Sequence, residues 1–86
     1  MYYIYFAKSE RNNKVYVGFT GKDPKDRVEE HNASANQWSR ANKPLQLKYY
    51  ESYSCKEDVM MREKFYKTGI GKRVKKAIIQ EFDKDS

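Results

Sequence analysis

Tyr2-Tyr3-Ile4-Tyr5-Phe6-Ala7 and Val15-Tyr16-Val17-Gly18-Phe19-Thr20 are the stretches that decide the fold of this 86-residue chain. Each is aromatic and β-branched, and the polar Ser9-Glu10-Arg11-Asn12-Asn13 lies between them, so the pair reads as a β-hairpin. Side chains alternate along a strand. Ile4 and Phe6 therefore share one face, as do Val15, Val17 and Phe19, while Tyr3, Tyr5, Tyr16 and Gly18 occupy the other. The hairpin has an aliphatic face and a tyrosine face.

Outward from the hairpin, Asp23 followed by Pro24 and Asp26 has the form of a helix start: a capping carboxylate, a proline at the first helical position and an acid in the first turn. The expected helix runs from Pro24 to Asn32. The interval 33–44 is rich in Asn and Ser, contains Trp38, and reads as a long loop. Leu45 to Tyr53 reads as a third strand. Ser54 with Glu57 has the spacing of a capping box, and good helix formers follow as far as Gly69. Beyond Gly71, the spacing of Val74, Ala77, Ile78 and Phe82 predicts a last helix, with a polar tail over 83–86. A chain of this length, 38% hydrophobic, supports a small core and one domain, expected over residues 1–82.

The formal net charge of +6 favours a polyanionic partner, because Lys and Arg release counterions from a phosphate backbone, and nucleic acid is the first candidate. From Arg62 to Lys76 the chain carries Arg62, Lys64, Lys67, Lys72, Arg73, Lys75 and Lys76 against the single acid Glu63. So one-sided a balance favours a ridge for a nucleic-acid backbone, although helix surfaces ordinarily carry charge. Trp38 could stack on a base or pack against its own loop. The lone Cys55 has no internal disulfide partner and no zinc-ligand spacing around it. No signal peptide is visible and no run approaches membrane-spanning length, so the expected setting is reduced and cytoplasmic, away from membranes.

Arg27 and His31 stand four apart on the first expected helix and share a face, where they could reach one phosphate together: an Arg fork suits phosphate, and His exchanges a proton near neutral pH. A solvated helix face is the plain alternative. Glu63 lies on a stripe with Val59, Met60 and Tyr66; it could pair with Lys67 at i+4, or hold a divalent ion with water and substrate phosphate completing the shell. A phenol such as Tyr5 or Tyr16 needs a nearby cation to act as a base, since its ordinary pKa is about 10. Gly18 leaves room for substrate or another backbone to approach the sheet, or marks a bulge.

Together, Tyr3-Ile4-Tyr5, Lys14-Val15-Tyr16-Val17-Gly18, Arg27 through His31-Asn32, and Met61-Arg62-Glu63-Lys64 through Lys67 resemble the successive motifs of the GIY-YIG endonuclease domain, particularly its small standalone bacterial members. Tyr3 stands where the name-giving glycine would be, and the C-terminal tail has no clear counterpart to an asparagine that some members carry. The resemblance implies an α+β fold in the order β-β-α-β-α-α, with a three-stranded antiparallel sheet flanked by helices, and one divalent metal site that hydrolyses a DNA phosphodiester. By position, Tyr5 and Tyr16 correspond to the signature tyrosines, Arg27 to the phosphate-contacting arginine, His31 to a histidine of many members, and Glu63 to the metal-binding glutamate. The implied cofactor is one Mg²⁺ or Mn²⁺ at Glu63. Arg27 would neutralise phosphorane charge, while a water loses its proton to one of the tyrosines and His31 assists. Gly18, Trp38, Lys67, Lys72, Arg73, Lys75 and Lys76 are the candidate DNA contacts. The implied setting is DNA repair, recombination or mobile-element processing, on branched, flapped or single-stranded DNA, with targeting by a protein partner or a homodimer. The competing readings are a non-catalytic nucleic-acid-binding module, which needs the basic residues but not Glu63, and an accessory subunit of a larger protein.

Overall fold

In the computed structural model, which describes residues 1–34 and 37–83, the two β-rich stretches pair as expected. Strand β1 (Tyr2–Ser9) runs antiparallel to β2 (Val15–Thr20), with Tyr5 opposite Gly18 and Ala7 opposite Tyr16. The turn between them is closed by Asn13, whose φ of 63° suits asparagine, and by the Ser9 hydroxyl, which accepts from the backbone N–H groups of Arg11 and Asn12. Strand β3 (Leu45–Tyr53) pairs antiparallel with the other edge of β1, giving the order β2-β1-β3. A bulge opposite Phe6 and Ala7 leaves Lys48 as an extra residue, after which Tyr49, Glu51 and Tyr53 oppose Phe6, Ile4 and Tyr2.

Helix α1 (Pro24–Ala33) starts as the sequence predicts: the Asp23 carboxylate accepts from the Lys25 N–H at 2.9 Å, and Pro24 fills the first turn. The interval expected to be loop holds a short helix, α2 (Gln37–Asn42). Helix α3 (Lys56–Tyr66) corrects the capping-box expectation, because its N-cap is Cys55, and Glu57 accepts from the Cys55 thiol instead of reaching back to Ser54. Helix α4 (Gly69–Asp83) begins before Gly71 and includes Asp83, which was expected to open the tail; Asp83 accepts instead from Lys8 and Lys48, tying the helix end to β1 and β3. None of these helices is long and apolar enough to cross a membrane.

The sheet is covered on both faces. Ile4 and Phe6 pack with Val59 and Tyr66 of α3 and Ile79 of α4, while Tyr5 and Ala7 pack with Val28 of α1 and Leu45. The second cluster seats the tyrosine face against α1. Met60, read as part of the inward stripe of α3, is exposed.

Candidate functional site

Tyr5 is almost fully buried, and its hydroxyl shares a 3.0 Å hydrogen bond with His31 Nε2. The Tyr16 ring stands edge-on to His31 with centroids 5.2 Å apart, and 6.0 Å from the Tyr5 ring. Gly18 makes this approach possible: a Cβ there would lie 2.7 Å from both the Tyr5 hydroxyl and Tyr16 Cε1. The space that glycine vacates is filled by the protein's own phenols, with no positive φ at Gly18. Burial pushes the Tyr5 hydroxyl well above the ordinary tyrosine range, with Tyr16 adding to this and Arg27 opposing it. Burial also lowers the His31 pKa, aided by the Arg27 charge and opposed by Glu30, so the ring is neutral near pH 7. Arg27 thus acts electrostatically on both groups, while its guanidinium, partly exposed, pairs with Glu30 at 3.3 Å.

Glu63 stands on α3 and lines a cavity that Tyr16 also lines. Its carboxylate makes no hydrogen bond or ion pair among the described residues, so the pairing with Lys67 does not form. It lines a cavity of about 400 Å³ with Lys14, Val15, Tyr16, Val17, Lys67 and Lys75. Val15 and Lys75 also line an adjoining cavity of about 470 Å³, to which Lys72 and Lys76 contribute. Burial, reinforced by the neighbouring Lys72 charge, lowers the Lys75 pKa. Among the expected contacts, Arg73 is exposed on α4 but lines neither cavity, and the Trp38 side chain lies outside the described residues.

The Tyr5, Tyr16 and His31 cluster therefore adjoins, at Tyr16, a lysine-lined cavity that Glu63 also lines. Residues 1–83 match the GIY-YIG catalytic domain. The chain belongs to the GIY-YIG family. At the level of that family, the domain implies a nuclease-type function and DNA as substrate. Among curated proteins, a UPF0213 protein of Staphylococcus haemolyticus is 31% identical over 81 residues, covering 93% of this chain and 95% of the relative. A UPF0213 protein of Bacillus licheniformis is 29% identical, covering 92% of this chain and 80% of the relative. One from Bacillus pumilus is 31% identical over 73 residues, or 84% of this chain and 72% of the relative. No solved structure matches the chain.

Two features of this GIY-YIG chain escaped the reading of its sequence. Lys14 joins the cavity because the turn before β2 brings it beside Glu63, a tertiary placement that spacing does not reveal. Arg62, counted with the basic ridge, is neutralised: it donates to Glu51 from Nε at 3.0 Å and from Nη2 at 3.3 Å. A signal did exist, since Glu51 alternates with Tyr49 and Tyr53 on the strand face that packs on α3, and an acid there needs partners.

Proposed function

We propose that this chain is a divalent-metal-dependent endonuclease that hydrolyses DNA phosphodiester bonds, with Tyr5, Tyr16, Arg27, His31 and Glu63 as its working groups. The observation that carries the reading is the position of Tyr16, whose ring packs edge-on to His31 and which is also among the residues that line the cavity of Glu63. A partly exposed carboxylate without an ion-pair partner suits Mg²⁺ or Mn²⁺, which are commonly held by one or two carboxylates with water and substrate phosphate. Among the described residues no cluster of three or more His, Cys, Asp or Glu assembles, so Glu63 alone would anchor the ion. When bound, the ion supplies charge stabilisation at the phosphate and the leaving 3′-oxygen.

The protein's own groups divide the remaining work. Tyr16, which lines the cavity, takes the proton of the attacking water on its hydroxyl oxygen as its own hydroxyl proton passes on; Tyr5, kept protonated by burial, orients His31 through its hydrogen bond. His31, neutral near pH 7, has a ring nitrogen able to relay that proton to solvent. Arg27 offsets charge building on the phosphorane. Lys14, Lys67, Lys72, Lys75 and Lys76 hold the flanking backbone, and Arg73 and Trp38 extend the contact. This unit spans residue 1 to the end of α4, and it serves DNA repair, recombination or mobile-element processing in the cytoplasm.

The test is incubation of the protein with labelled single-stranded, duplex, flapped and branched DNA in Mg²⁺, Mn²⁺ or EDTA. Cleavage in either metal that EDTA abolishes is the expected result, and the substrate ranking identifies the preferred DNA. Salt-sensitive binding without cleavage in any metal would favour the non-catalytic binding module, because the lysine-lined cavities serve binding whether or not Glu63 acts.

A further inference from the structure

Behind α3, on the face that packs against the sheet, lies a polar network that the mechanism above does not use. Both carboxylate oxygens of Glu51 are filled. Oε1 accepts from the Tyr53 hydroxyl at 2.7 Å and from Arg62 Nε, while Oε2 accepts from the Tyr49 hydroxyl at 2.6 Å, from the Tyr66 hydroxyl, and from Arg62 Nη2. Arg62 Nη2 also donates to the Tyr66 hydroxyl at 2.8 Å, and its guanidinium lies 4.5 Å from the Tyr66 ring and 4.8 Å from the Phe65 ring. Burial alone would raise the Glu51 pKa, yet the bonds from Arg62 and the three tyrosines hold it down to about 2.

Such a network is a costly way to fill space, since apolar side chains of similar volume in place of a buried ion pair often stabilise as much or more. What it adds is direction. Arg62 and Tyr66 are one helical turn apart, so binding both to one strand residue fixes the rotation and the height of α3 against the sheet. Glu63 is the next residue after Arg62, and its direction into the cavity beside Tyr16 follows from that rotation.

We infer that Glu51, acting through Arg62 and Tyr66, is a positioning residue that aims the Glu63 carboxylate at the metal position. The inference rests on the nuclease reading. Glu51 is not among the residues that line the cavity of Glu63, and its effect is on where α3 presents Glu63.

The experiment is a Mn²⁺ titration of wild type, Glu51→Gln, Tyr66→Phe, Val59→Ala and Glu63→Ala, read in two ways: DNA cleavage rate, and paramagnetic broadening of the Tyr16 ring signals in NMR. Glu51→Gln keeps the shape of the side chain but not its charge, and should raise the half-saturating Mn²⁺ concentration about tenfold in both readouts, the lower range for loss of an outer-shell partner. Tyr66→Phe removes one hydroxyl and should move both midpoints in the same direction by a smaller factor; it carries the test should Glu51→Gln fail to fold. Val59→Ala weakens the α3 core without touching the network, and should lower the melting temperature while leaving both midpoints unchanged. Wild-type midpoints in folded Glu51→Gln and Tyr66→Phe would overturn the inference, as would a Val59→Ala shift equal to theirs. Absence of both cleavage and broadening that depends on Glu63 in the wild type would instead overturn the nuclease reading, and the inference with it.

Discussion

Gly18 carries no side chain, and that absence sets the geometry of the two phenols. Gly18→Ala would put a methyl 2.7 Å from the Tyr5 hydroxyl, which is buried and has little room to yield. The variant should fold with a stability loss of about 1–3 kcal/mol from overpacking. Displacing the Tyr5–His31 pair should cost cleavage about a hundredfold, the scale of a 1 Å misplacement in a catalytic group; thermal unfolding and a cleavage time course check the two parts. His31 gives a pH signature. Its folded pKa lies below the ordinary 6.5, so the unfolded chain binds the proton more readily. Its contribution to stability is therefore complete above about pH 6.5 and is lost as pH falls toward the folded pKa. His31 is the single histidine of the chain, so urea unfolding at several pH values between 7.5 and 5.5 reads this effect directly, and His31→Phe should flatten it. At this scale, the placement of Tyr5, Tyr16 and Gly18 on one strand face, and of Arg27 and His31 on one helix face, was legible because strand alternation and i,i+4 spacing are local rules. Whether Glu63 paired with Lys67 was not legible, because the answer depends on what β2 and α4 bring beside it.

At the scale of elements, the three strands and α1 follow their sequence signals closely, since alternation and an Asp-Pro start are decided within a few residues. Helix α2 was missed because six residues are too few to display an apolar stripe. The capping box does not form and the N-cap lies one residue later than expected: the Ser54 and Glu57 spacing fits, but the chain stays extended through Cys55. The glycines after α3 were read as a stop signal, and Gly71 turns out to do more. A Cβ at Gly71 would lie 1.7 Å from the Phe65 carbonyl oxygen, so backbone of α3 would have to move. Gly71→Ala should destabilise the fold by about 2–3 kcal/mol, near the upper end for overpacking. Gly69→Ala meets nothing within 4 Å and should leave the melting temperature close to wild type. Differential scanning calorimetry of the pair separates a steric requirement from a general preference for glycine.

For the whole molecule, the sequence disclosed the excess of positive charge but not its arrangement. Lys14 and Lys67 come from segments far apart in the chain and meet Lys75 around Glu63, with Lys72 and Lys76 continuing along α4. Replacing Lys72, Lys75 and Lys76 with Gln should reduce the slope of log affinity against log salt by about 2 to 3, the loss of three phosphate contacts, while leaving the fold intact. Fluorescence anisotropy with labelled DNA at several salt concentrations measures it, and an unchanged slope would remove these lysines from the DNA path. The most direct test of the account is the cleavage of labelled DNA by wild type and Glu63→Ala, side by side in Mg²⁺, Mn²⁺ and EDTA, with binding measured in parallel. The account predicts metal-dependent cleavage by the wild type and none by Glu63→Ala, with DNA binding in both. Equal cleavage by the two proteins would contradict it.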